Sequence, residues 1–319
     1  MSVPFRLNEI MRKFSVWFRR EVLKSVFNCP AAWFFAAIWV IAAVFLVAIG
    51  RGYVALLGFC LLAILMFFCV ITVGITKTES KPKVKLSRPR QGLLLLQIVV
   101  IAFFICITLY TSLMFHGVVE RRTIPVWSGV IGAFSRLGEK VFSNKIVVNP
   151  TLAMANPAQY FFLPLPLLLL LGARFTELGF SRGHRILSVI GLWCFIPVGV
   201  LVYLVLFGHL SCSELGRRFL SHLMINGIGE EFLLRGALQT RLRAQLNASW
   251  AIVIQALIFG IWHFAANFGS IGMTGSAAVI AFCVIKTSTA GLAYGIIFQR
   301  TRNILACSVI HVVANSLGG

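Results

Sequence analysis

Apolar residues dominate this chain in runs, and the runs set its architecture. Stretches of roughly 20 apolar residues are long enough to cross a bilayer as helices at about 1.5 Å rise per residue. Such stretches fall at 31–49, 54–76, 92–115, 186–207, 248–266 and 277–299. A more polar one runs over 219–242. Two are shorter: 160–173, which contains Pro164 and Pro166, and 303–317. Two further stretches repeat at helical spacing against a polar face, as interfacial helices do. In 5–27 the apolar positions are Leu7, Ile10, Met11, Phe14, Phe18, Val22 and Val26, opposite a basic face. In 127–141 they are Trp127, Val130, Phe134, Leu137 and Val141. The pattern predicts an all-α polytopic membrane helical bundle of about eight or nine transmembrane helices.

Composition agrees with the pattern. Hydrophobic residues make up 59% of the 319 and charged residues 12%, against about 45–50% and 25% in soluble domains. That excludes an ordinary cytosolic enzyme, a disordered chain and a disulfide-stapled secreted domain. The eight cysteines are scattered, with no CxxC pair and no zinc spacing, so they read as small core residues.

The formal net charge of +20 would point to nucleic acid in a soluble protein. In a membrane protein it points to cytoplasmic loops facing anionic lipid, with no nucleic-acid partner. With a cytoplasmic N-terminus and nine crossings, the inside segments hold 19 of the 29 basic residues and the outside segments 8. Arg235 and Lys286 lie within spans. The excess supports that orientation, with a basic cytoplasmic loop at 77–91. The chain thus divides into three regions: a basic amphipathic interfacial helix at 1–30, a transmembrane region at 31–217 and a core at 218–319 that holds the chemistry.

An ionisable group at mid-bilayer costs on the order of 2.5–3.5 kcal/mol on insertion scales, so each needs a reason. The first 200 residues place none inside a span. The last third places Glu230, Glu231 and Arg235 in one, His263 in the next, Lys286 in the next and His311 in the last. Counted from the cytoplasmic end at the helical rise, Glu230, His263, Lys286 and Asn315 lie about 20 Å deep, and His311 about 12 Å. Glu231 and Arg235 stand i,i+4, the spacing of a neutralising pair on one face, and Glu230 projects about 100° away. His311 and Asn315 also stand i,i+4. Gly227, Gly229 and Gly236 flank the glutamates and allow close helix approach. Lys286 either snorkels or pairs with a glutamate, and a structural role is favoured.

Three motifs then stand in order on three spans. Glu230-Glu231-Phe232-Leu233-Leu234-Arg235 resembles the EExxxR motif of the type II CAAX prenyl endopeptidase and bacteriocin-processing family. Phe259 to His263 resembles its FxxxH motif, and His311 to Asn315 its HxxxN motif. Arg300-Thr301 resembles the family's approach to the last histidine. The resemblance covers roughly 218–317 and implies an intramembrane glutamic endopeptidase that needs no metal and no cofactor. By position, Glu230 would activate water and His263 would hold and polarise it. His311 and Asn315 would stabilise the oxyanion, and Glu231 and Arg235 would orient the site. The implied partner is a membrane-associated peptide or protein, and the expected setting a bacterial cytoplasmic (inner) membrane. The alternatives are a catalytically silent scaffold or immunity protein, a zinc protease and a proton-coupled transporter. The zinc reading lacks HExxH or any compact ligand pair. The transporter reading lacks a second charged half.

Overall fold

A computed structural model describes residues 28–76, 88–269, 272 and 275–318. The basic helix expected at 5–27, and most of the loop expected at 77–91, lie outside the described residues. The described residues form a helical bundle whose only β pairing is an isolated bridge between Phe180 and Asn303. In chain order the helices are α1 (Pro30–Ala48), α2 (Gly52–Thr76), α3 (Arg88–Phe115), α4 (Trp127–Val141), α5 (Pro150–Leu170) and α6 (Ile186–Leu206). Then come α7 (212–245), α8 (Ala248–Trp262), α9 (Ser276–Thr301) and α10 (Ile304–Gly318).

Six of these, α1, α2, α3, α5, α6 and α9, are long and apolar enough to cross a membrane. Helices α8 and α10 are shorter apolar helices, and α7 carries the site's charges. The chain is an integral, multi-pass membrane protein.

The outer helices are apolar on all sides, so hydropathy alone does not choose a buried face. Packing does. On α1 a stripe at helical spacing (Phe35, Trp39, Ala42, Leu46) is buried, while Ile41 and Val44 on the opposite side are exposed. An all-round apolar helix with one packed stripe is what a lipid-facing position requires. Buried Trp N–H groups are matched by threonine hydroxyls on other helices. Trp39 donates to Thr289 at 3.2 Å, Trp193 to Thr72 at 2.8 Å and Trp262 to Thr108 at 2.9 Å. Each bond satisfies a polar atom that lipid could not.

Helix α5 is longer than its apolar run. It begins at Pro150, where the Asn149 side chain accepts from the Leu152 N–H at 3.0 Å. Its first half holds Asn156, Pro157 and Gln159, which dilute the hydropathy yet are buried against α7. The π-helical turn Ala158–Phe162 comes directly after Pro157 and joins the two halves. The amphipathic stripe at 127–141 is helix α4, and it packs on the start of α5: a side chain at Gly138 would meet the Pro150 carbonyl.

One charge lies elsewhere than its sequence position suggests. Arg241, counted among the loop cations, is 3% exposed. Its Nε donates to Gln97 Oε1 and its Nη1 to the Glu177 carbonyl, both at 3.0 Å. It ties the end of α7 to α3 and to the 3₁₀ turn Phe175–Leu178. Gly236 on α7 lies so close to the Leu178 carbonyl that no side chain fits.

Candidate active site

Helix α7 positions the glutamates through an unusual backbone. A single α-helical turn, Ile228–Glu231, lies between two π-helical segments, Leu223–Gly227 and Phe232–Gln239. A π turn inserts an extra residue, rotates the next stretch of helix about its axis and frees backbone groups. Such turns concentrate at functional sites.

The two carboxylates have different partners. Glu231 is fully buried, and its Oε1 accepts from Arg235 Nη1 at 3.1 Å and from His311 Nδ1 at 2.9 Å. Arg235 is itself fully buried, with its guanidinium 4.2 Å from the Phe259 ring centre and 5.3 Å from that of Tyr294. Tyr294 stacks on His311 at 5.0 Å between centroids. Ion pair, cation–π contacts and stacking together hold the Glu231, Arg235 and His311 side chains.

Glu230, 5% exposed, faces α8 instead. Its Oε2 lies 3.5 Å from His263 Nε2 and makes no hydrogen bond with a described residue. His263 caps the end of α8, and its Nδ1 lies 2.9 Å from the Phe259 carbonyl. A carbonyl can only accept, so Nδ1 carries the hydrogen and Nε2 is turned to Glu230. The same logic applies to His311: the Glu231 carboxylate accepts from Nδ1, and Nε2 has no partner among the described residues. Both imidazoles therefore present Nε2.

The sequence-predicted residues fall into two groups and two outliers. Glu230 and His263 meet, as do Glu231, Arg235 and His311. Asn315 is half-buried one turn beyond His311 and makes no side-chain hydrogen bond to a described residue. Lys286 is exposed, has no acidic partner among the described residues, and holds its ammonium 5.4 Å from the Phe282 ring centre. Nearby, Asn267 serves as a cap and an interhelical tie, donating to the His263 carbonyl at 3.0 Å and to Thr287 at 3.3 Å. Among the described residues, no group of three His, Cys or acidic side chains has the arrangement of a metal site.

Sequence reasoning missed the Glu231–His311 bond, the Tyr294 stack and the π turns. Glu231 already had a local partner in Arg235, so nothing in the spacing called for a second one 80 residues away. Tyr294 lies in an apolar run like any packing residue.

The helical bundle thus gathers two glutamates, an arginine and two histidines from α7, α8 and α10 in its interior. Residues 214–317 match the family model described as type II CAAX prenyl endopeptidase Rce1-like, about a third of the chain. Residues 214–317 thus carry a domain of the Rce1-like type II CAAX prenyl endopeptidase kind, a class of protease. No curated protein and no solved structure matches the chain.

Proposed function

We propose that the chain is an intramembrane glutamic endopeptidase that cleaves a membrane-associated protein or peptide through water activated by Glu230 and His263, without a metal. The observation that carries this reading is the division of labour between adjacent glutamates. Glu231 is committed to Arg235 and His311, while Glu230 keeps a buried oxygen free opposite His263 Nε2.

Charge balance supports the same assignment. Two carboxylates and one guanidinium leave one negative charge, and a low-dielectric site favours neutrality. A proton on one imidazole supplies the balance. In this reading His311 Nε2 and the Asn315 amide, one turn apart on α10, face the oxyanion that forms on the scissile carbonyl. Glu230 takes the proton of the attacking water, and His263 Nε2 orients that water. Glu230 then passes the proton to the leaving amine, so the base is regenerated.

In this reading 31–217 form the transmembrane region and 218–319 the protease core. The N-terminus is cytoplasmic, the basic segment 77–91 meets anionic lipid, and the membrane is a bacterial cytoplasmic (inner) membrane. The test is mass spectrometry of membrane peptides from cells that carry the wild-type protein or Glu230→Gln. Peptides released only by the wild type are expected. An identical peptide set with an unchanged cellular effect would identify the chain as a binding scaffold.

A further inference from the structure

Helix α5 lies outside the matched residues 214–317, yet it reaches the site. Its first half, Pro150–Pro157, packs on the π turn Leu223–Gly227 of α7, and its own π turn Ala158–Phe162 packs on the glutamate-bearing turn Ile228–Glu231; an amide relay runs along this face. Gln159 Nε2 donates to Asn156 Oδ1 at 3.0 Å, and Asn156 Nδ2 donates to the Ile225 carbonyl at 3.2 Å. All three α5 residues Asn156, Gln159 and Tyr160 are at least nine-tenths buried.

This tie sets Tyr160 against the two residues that precede the water-activating pair. A Cβ on Gly229, just before Glu230, would lie 2.9 Å from Tyr160 Cβ, so only glycine allows the approach. The Tyr160 ring meets Trp262, just before His263, edge-on at 4.9 Å between centroids. Trp262 is in turn pinned by its bond to Thr108 and packs on His263 at 5.3 Å. Tyr160 is 7% exposed, and its hydroxyl keeps part of that exposure and bonds to no described residue, so it is open to a ligand. The Trp N–H groups at 39, 193 and 262 are all satisfied.

We propose that Tyr160 is a further catalytic residue, whose hydroxyl donates a hydrogen bond to the scissile carbonyl oxygen as it becomes an oxyanion. The inference rests on the proteolytic reading above. The phenol keeps its proton throughout: it stabilises charge and takes no part in proton transfer. His311 and Asn315 reach the oxyanion from α10, and Tyr160 closes the site from α5. The transmembrane region then supplies part of the chemistry as well as enclosing it.

The test uses the full-length protein in lipid vesicles and the synthetic precursor of a peptide that wild-type cells release and Glu230→Gln cells do not. Tyr160→Phe keeps the ring against Gly229 and Trp262 and removes only the hydroxyl. The expected result is a fall in kcat of about 10²-fold or more, the usual effect of losing one oxyanion donor. KM and melting temperature should stay near wild type, because the hydroxyl holds nothing in the protein. Incorporation of 3-fluorotyrosine at 160 keeps the hydroxyl and should restore turnover. Wild-type kcat in Tyr160→Phe overturns the proposal while leaving the Glu230 assignment intact. So does a loss that comes with a lower melting temperature and is not restored by 3-fluorotyrosine. If no peptide separates wild type from Glu230→Gln, the proteolytic reading falls and takes this role with it.

Discussion

The helices of the outer shell and those of the core obey different rules. In the most apolar windows of α1, α2, α3 and α6, 22–33% of residues are buried, against 67% in α9. Shell side chains such as Phe195, at 79% exposure, meet lipid and are interchangeable with other apolar groups. Core residues such as Phe232, fully buried between Phe161 and Phe180, have one fitting shape. The polar atoms differ too. Shell polar groups such as Trp193 and Thr72 are satisfied, whereas Glu230, Glu231 and Arg235 each retain a buried atom with no hydrogen bond to a described residue. An unsatisfied buried polar atom costs about 1–3 kcal/mol, so the core carries a burden that the shell avoids. The proposed function accounts for that burden.

The contrast can be broken by substitution, the largest effect first. Arg235→Ala would leave Glu231 buried without its guanidinium. Removing one partner of a buried pair costs about 3–5 kcal/mol, so a steep loss of melting temperature and of membrane abundance is expected. A variant as stable as wild type would mean that His311 alone neutralises Glu231. Phe232→Ala should cost about 3–5 kcal/mol, as a large buried aromatic does. Phe195→Ala on the lipid face should stay within about 0.5 kcal/mol, as exposed positions do. Chemical denaturation of the two in the same detergent sharpens the comparison, and equal losses would erase it.

The smallest effect concerns a surface cluster at the start of α7. Arg217 Nε and Nη2 and Arg218 Nε donate to the Glu214 carboxylate at 2.7–3.0 Å. Those bonds hold its pKa down at about 2, below the ordinary 4.5. A depressed carboxylate stabilises the fold above its ordinary pKa, and that contribution is lost as pH falls through about 2. Wild type should therefore melt slightly above Glu214→Gln at pH 7, and the two should converge near pH 2. A gap that persists at low pH would point to packing instead of charge.

Much of this was legible in the sequence, for identifiable reasons. Lipid forces helices to be long and apolar, so the spans can be seen without tertiary information. Charges in lipid are rare enough that Glu230, His263 and His311 stood out one by one. Residues whose role depends on a partner far along the chain were hidden. The hydropathy of 150–159 is diluted by Asn156 and Gln159, an amide pair that reaches α7 through Asn156, so the start of α5 was missed. Arg241 looks like any loop cation until Gln97 and the Glu177 carbonyl are brought to it. Tyr160 is one aromatic in an apolar run, and nothing local marks its contact with Gly229, 69 positions away.

The central claim is that Glu230 and His263 activate water while Glu231 only supports them. The direct measurement is the rate at which purified wild-type protein and Glu230→Gln, in lipid vesicles, cleave the same membrane peptide with a strong chelator present. Wild type should be unaffected by the chelator, and Glu230→Gln should be slower by about 10³-fold or more, within the range for a general base. A Glu230→Gln rate within tenfold of wild type, or a wild-type rate abolished by the chelator, would contradict it.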